Sequence, residues 1–274
     1  MSDLASVRYR ATVEYDGSGF SGYQVQPTAR TVQGTIEYCL KRLFEHPVRV
    51  HAAGRTDSGV HAVGQEISFD APEGWSALDL SQSLNSMLPD DVQIRSLNPS
   101  SADFHPRFDA TGRRYEYFIG PPDTGPLRVS RVWVVDETPD LERLTEASTG
   151  LVGPASFGAL SKAGQPHLGT ECSVEVAEWT RTPLGDLRFV IVADRFLHHM
   201  VRYIVATLVE VGINRRTVAE WTELLREEPA RPPEPAPAKG LYLTGVRYAE
   251  GWNREPGVPG LWPIKEDDQT TESV

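Results

Sequence analysis

The chain is poor in cysteine and in lysine, and each scarcity excludes something. Cys39 and Cys172 are the 2 cysteines among 274 residues. They lie outside any Cys-x-x-Cys pair or metal-like spacing, so neither a disulfide framework nor a zinc site is expected. No stretch approaches the roughly 18 apolar residues of a membrane span, and the opening MSDLASVRYR lacks the basic-then-apolar pattern of a secretory signal. The expected location is the cytoplasm. His-Glu-x-x-His, P-loop and dinucleotide-binding patterns are all missing, so no motif in the chain points to zinc, nucleotide or redox chemistry. Lysine occurs only at 41, 162, 239 and 265, so nearly all of the 27 basic residues are arginine.

That arginine excess bears on the charge balance. A formal charge of −11 argues at first against a polyanionic partner. Net charge is not local field, however. Several arginines cluster with aromatics or glycines, and arginine suits bidentate phosphate contacts and stacking on bases. Much of the acidity sits elsewhere, in Glu223, Glu227 and Glu228 and in a tail holding Glu266, Asp267, Asp268 and Glu272.

With 39% apolar residues the chain can bury a proper core. Residues 7–15 alternate like a half-buried strand, and a glycine loop follows. Thr31 is placed to cap a helix in which Val32, Ile36, Cys39, Leu40 and Leu43 recur at helical spacing until Pro47 closes the run. Strands at about 48–53 and 62–70, a helix over 77–87 and a strand over 92–97 complete β-α-β-β-α-β. The order repeats after Ala110: a strand at 113–119, a helix near 138–150, strands near 173–181 and 186–193, a helix over 196–211, and a last strand at 241–248. Two ferredoxin-like halves, 1–109 and 110–249, therefore give an α+β fold. The Pro-rich stretch 231–240 feeds the last strand, and 250–274 reads as a tail.

The densest chemical signal is His51 to Gln65, where small residues surround Arg55 and Asp57. Gly54 and Gly59 permit a tight turn and a close ligand. In an extended segment Arg55 and Asp57 would point the same way, so the cation could keep the carboxylate ionised and available as a nucleophile. The plainer alternative is a turn capped by Asp57 with a surface arginine beside it. Tyr115 and Tyr117 share one face of a strand, and Glu116 takes the other. Arg202 stands out in a helix that is otherwise core and needs a counter-charge: Asp57 is the expected partner, with snorkelling to a surface partner as the alternative. His198 and His199, being adjacent on that helix, should face different ways, which disfavours a shared metal. They read as structural or RNA-facing.

Gly54-Arg-Thr-Asp-Ser-Gly-Val-His-Ala62 resembles the catalytic signature of the TruA family of tRNA pseudouridine synthases. Four further segments agree in order: Tyr15-Asp-Gly-Ser-Gly-Phe with Thr31-Val-Gln-Gly34, Arg113-Arg-Tyr-Glu-Tyr117, Phe196-Leu-His-His-Met-Val-Arg202, and Gly240-Leu-Tyr-Leu243. The resemblance spans about 7–249. It implies the pseudouridine synthase fold, in which the two halves share a mainly antiparallel sheet flanked by helices. It also implies an isomerase that detaches uracil from ribose, turns it and rejoins it through carbon. Further implications are action in the anticodon stem-loop at tRNA positions 38 to 40, a homodimer gripping one tRNA, and no metal or other cofactor. Asp57 becomes the essential carboxylate, attacking either the anomeric carbon or the uracil ring. Tyr115 would lie against the target uracil, and Leu243 would help enclose it. Arg55 becomes a candidate to extrude or replace the flipped base, and Arg113 and Arg114 candidates for phosphate contact.

Three departures from the family pattern stand out. Ser58 replaces the usual alanine, Tyr203 replaces a common asparagine, and the loop 156–173 keeps Lys162 without the usual arginine. Two other function classes remain open. An RNA-binding protein of the same fold would not require Asp57, and no RNP1-like aromatic run is present. A glycosidase or nucleosidase would need a second carboxylate, for which Glu116 is nearest but on the wrong strand face.

Overall fold

The computed structural model describes residues 6–162, 169–225 and 234–258. Strand β1 (Ser6–Tyr15) alternates so that Tyr9, Ala11, Val13 and Tyr15 are all buried in one core cluster. A 3-10 turn over Gly17–Gly19 leads to α1 (Val32–Phe44). The Thr31 hydroxyl caps this helix by accepting from the Gly34 N–H, and Glu45 ends it in the left-handed conformation. The short β2 (His51–Ala52), β3 (His61–Pro72), α2 (Ala77–Met87) and β4 (Val92–Pro99) complete the first half. Ile36 and Leu40 of α1 and Leu80 and Leu84 of α2 join the cluster that holds the β1 side chains.

The second half runs β5 (Gly112–Gly120), β6 (Trp133–Val134), α3 (Leu141–Ser148), β7 (Gly153–Ser156), β8 (Glu171–Arg181), β9 (Leu187–Ala193), α4 (Met200–Gly212), α5 (Val218–Leu224), β10 (Leu241–Tyr248) and β11 (Gly251–Trp252). All the major strands lie in one sheet of order β4-β1-β3-β10-β5-β9-β8-β7, with β2 on β3, β6 on β5 and β11 on β10. The sequence of strands within β10-β5-β9-β8 repeats that of β4-β1-β3-β2, so the halves stand in tandem. They meet where β10 runs parallel to β3, pairing Tyr242 with His61 and Leu243 with Ala62. β10 and β2 share that β3 edge, β10 at His61 and Ala62 and β2 through His51 and Ala52 at Ser68 and Ile67.

Several expectations are corrected. The helix expected from 196 starts at Met200, because His199 adopts φ 63° and turns the chain before the first helical residue. Helix α5 and strand β7 were not foreseen, although Thr217 and Glu220 form a capping box that the sequence spells out. Residues 251–258, expected as the start of a tail, fold back on the sheet. There Asn253 donates to Glu66 Oε2 at 2.7 Å and Arg254 donates to the Val63 carbonyl at 3.0 Å. The acidic tail residues, Glu227, Glu228, residues 163–168 of the 156–173 loop and 231–233 of the Pro-rich connector lie outside the described residues. Among the described residues no helix is long and apolar enough to cross a membrane.

Candidate active site

Residues 53–60 link β2 to β3 within the first half, at the seam with the second, and they are held from several sides. The Ala53 N–H donates to the Glu66 carbonyl at 2.8 Å, and Tyr23 N–H to the Thr56 carbonyl at 3.0 Å. Gln65 Nε2 donates to the Gly54 carbonyl at 2.8 Å, while the Tyr15 and Thr56 hydroxyls share a hydrogen bond of 2.8 Å. Asp57 to Val60 is a tight turn closed by Val60 N–H on the Asp57 carbonyl at 3.2 Å, with Gly59 at φ +78°. Ser58 uses its hydroxyl to donate to the Phe20 carbonyl at 3.1 Å, so the extra oxygen ties this turn to the 15–23 loop.

The loop presents Asp57 with its side chain 17% exposed, to three cationic or potentially cationic groups. Arg202 Nη1 lies 3.3 Å from Oδ2, His199 Nε2 3.4 Å from Oδ2, and His198 Nε2 3.5 Å from Oδ1. Arg202 stands on the first turn of α4. Its Nε donates to the Ala236 carbonyl at 2.7 Å, and the Ala236 N–H returns a bond to the Arg202 carbonyl at 3.1 Å. The connector leading to β10 therefore aims the guanidinium at the carboxylate.

The two histidines overturn the expectation of opposite faces. They precede the helix instead of lying on it, and the left-handed turn at His199 brings both imidazoles to Asp57 with ring centres 4.1 Å apart. Burial pushes the His199 imidazole below its usual value, against the pull of Asp57. Ligand atoms of Asp57, His198 and His199 all lie within 4.8 Å of one another, a spacing open to a metal ion. The guanidinium on the same carboxylate already supplies the positive charge such an ion would bring.

Tyr115 and Leu243 face each other across the β5–β10 pair and are both buried in the helix-covered core. The Tyr115 ring meets Phe196 edge-on at 5.0 Å. Its hydroxyl lies next to the backbone of the Asp57 loop, where a Cβ on Gly54 would meet the phenol oxygen at an ordinary contact distance of 3.8 Å. Burial, then the charges of Tyr15 and Asp57, pushes the phenol far above its usual value. Its hydroxyl makes no hydrogen bond among the described residues.

Not every expected residue is gathered here. Arg55 is exposed and, among the described residues, makes no ion pair with Asp57; the segment is a turn and not a strand, so the two-residue alternation does not apply. Arg114 is 6% exposed on the sheet face opposite Tyr115, where it donates to the Thr244 hydroxyl at 3.1 Å. It is thus unavailable to a phosphate. Arg113 spends its guanidinium on the carbonyls of Ala53, Arg107, Ala110 and Asp194. Glu116 is fully buried on that far face and accepts from Arg188 at 2.7 Å, so it offers no second carboxylate beside Asp57. A separate cleft of about 150 Å³ includes none of the groups around Asp57. Its Glu14, Asp16 and Asp91 are already paired with Arg95, Arg131 and Arg30.

Two tandem β-α-β-β-α-β halves with an arginine-paired aspartate turn at their seam define the pseudouridine synthase class of fold. A family model described as tRNA pseudouridine synthase matches residues 11–109 and 147–249. The tRNA pseudouridine synthase A of Chlorobaculum tepidum is 40% identical over 247 residues, covering 86% of this chain and 96% of that protein. Those of Solidesulfovibrio magneticus and Lacticaseibacillus casei are 39% and 36% identical, covering 93% and 88% of this chain and 94% and 99% of theirs. The chain belongs to the tRNA pseudouridine synthase family, and is an isomerase.

Proposed function

We propose that this protein converts uridine to pseudouridine in the anticodon stem-loop of tRNA, at positions 38 to 40, with Asp57 as the nucleophile. The observation that carries the reading is the Asp57 carboxylate, held 3.3 Å from Arg202 by a turn and a helix from opposite halves of the chain. Beside it stand Tyr115, which offers an aromatic face for a base drawn out of its stack, and Leu243, which excludes water. Asp57 adds either to the ribose anomeric carbon, releasing uracil, or to the uracil ring. In both routes the N1–C1′ bond breaks and a C5–C1′ bond forms. The C5 proton leaves, N1 gains one, and Asp57 is released, so no water, electron or group is consumed. Exposed Arg55, at the rim, takes the place of the displaced base in the stem. We further propose a homodimer acting in the cytoplasm.

The test is pseudouridine formation in an unmodified tRNA transcript, comparing the parent with Asp57→Ala at equal folded concentration. Product lost in the variant while tRNA binding persists supports the reading. Equal product from both removes Asp57 from the chemistry.

A further inference from the structure

We infer that Phe108 is a stacking platform for an unpaired base of the RNA, set beside the catalytic loop and flanked by Arg107, His105 and His51. The inference rests on the reading of the substrate above. Phe108 is 75% exposed, whereas Phe104, four residues earlier, packs on Tyr248 with ring centres 5.4 Å apart. Its exposure is not the slackness of a loop. His105 N–H donates to Asp109 Oδ2 at 2.9 Å and Asp109 N–H to the His105 carbonyl at 3.1 Å. The Arg107 and Phe108 amides both donate to His105 Nδ1, at 3.1 and 3.4 Å. These bonds close the turn on His105 and leave the phenyl ring outside it. An acceptor Nδ1 requires the neutral imidazole, and burial followed by the neighbouring His51 pushes His105 below its usual value.

The turn is fixed to the site. Arg113 Nη2 donates to the Arg107 carbonyl at 2.6 Å and to the Ala53 carbonyl at 3.2 Å, clamping it to the start of the Asp57 loop. Tyr248 adds a hydroxyl bond to the Pro106 carbonyl at 2.8 Å. The surroundings select the occupant. His105 lies 4.3 Å from the Phe108 ring and 5.1 Å from His51, and the Arg107 guanidinium is 5.9 Å from the phenyl centre. Arg107 is exposed and makes no ion pair among the described residues. An apolar protein segment laid here would leave that guanidinium desolvated without a counter-charge. A nucleotide supplies both a π-face for the ring and a phosphate for the arginine.

Binding of an unmodified anticodon-arm RNA, measured in the Asp57→Ala background across a salt series, tests this apart from catalysis. Adding Phe108→Ala is expected to weaken Kd by about tenfold with the salt slope unchanged, and Phe108→Trp to restore it to within about twofold. Arg107→Ala should instead flatten the salt slope by about one. Unchanged affinity in Phe108→Ala overturns the platform and leaves the Asp57 assignment standing. A shift in oligomeric state by light scattering, with RNA affinity per site unchanged, also overturns it and gives the ring to a second copy of the chain. Weakened RNA binding by Phe108→Ala upholds the platform even where the parent makes no pseudouridine, a result that overturns only the reaction assigned above.

Discussion

Gly17 lies 40 residues before Asp57, yet its replacement by alanine should strike the chemistry. A Cβ at Gly17 would sit 2.0 Å from the Val60 carbonyl oxygen and 2.5 Å from its carbon, while real Cβ contacts essentially never fall under 3.0 Å. Backbone faces backbone here, so no flexible side chain can yield, and one segment must retreat by about 1 Å. Val60 closes the Asp57 turn through its N–H, so a retreat of Val60 is passed to the carboxylate. Overpacking of this kind costs about 1–3 kcal/mol of stability, and a misplacement of about 1 Å at a reacting group costs on the order of 100-fold in rate. Gly17→Ala is therefore expected to lose about two decades in kcat/KM for pseudouridine formation while remaining folded by thermal melting. Gly125→Ala is the control, because nothing lies within 4 Å of its Cβ position. A Gly17→Ala enzyme within about threefold of the parent rate would refute the coupling of that loop to Asp57.

Arg202→Met keeps the apolar stem but removes the guanidinium. It should lower kcat by about 100-fold and stability by about 1–3 kcal/mol, read in single-turnover kinetics and urea unfolding, through loss of the bonds to Asp57 and Ala236. Tyr115→Phe should lower the rate without changing the shape of the pH–rate profile up to about pH 10, since burial already keeps the phenol protonated beyond that range. An alkaline limb that vanishes in the variant would contradict it. Glu116→Ala strips the carboxylate from between Arg188 and Arg114. It should destabilise the fold by about 3–5 kcal/mol in denaturant while tRNA affinity of the surviving folded fraction is unchanged.

Regular elements were legible wherever one period dominated. The Thr31 cap and the spacing of Val32, Ile36 and Leu40 marked α1, and the alternation in β1 and β5 separated Tyr115 from Glu116 correctly. The site was legible through the Gly54 to Ala62 motif, but its electrostatics only in part. Arg202, a lone cation in an otherwise apolar helix, was legible as the partner of Asp57 from 145 positions away, whereas local spacing wrongly added Arg55 and gave no sign of the two histidines that complete the shell. One left-handed residue, His199, decides where those histidines point, and nothing in its side chain announces a positive φ. The arginine-rich composition also overstated the phosphate-binding surface. Arg8, Arg30, Arg95 and Arg247 are each paired with a carboxylate, and Arg114 is buried beneath Trp252.

The parallel seam between β3 and β10 has a consequence for the order of events during synthesis. Asp57 belongs to the first half, but its counter-ion, its aromatic wall and its lid at Leu243 are all made later, and β10 is the last major strand to be translated. A nascent chain that has folded only its first β-α-β-β-α-β unit holds the Asp57 turn without Arg202, Tyr115 or Leu243 beside it. On the site proposed above, catalysis is withheld until strand 241–248 slots in beside His61 and Ala62, which makes the completed sheet itself the signal that the enzyme is ready.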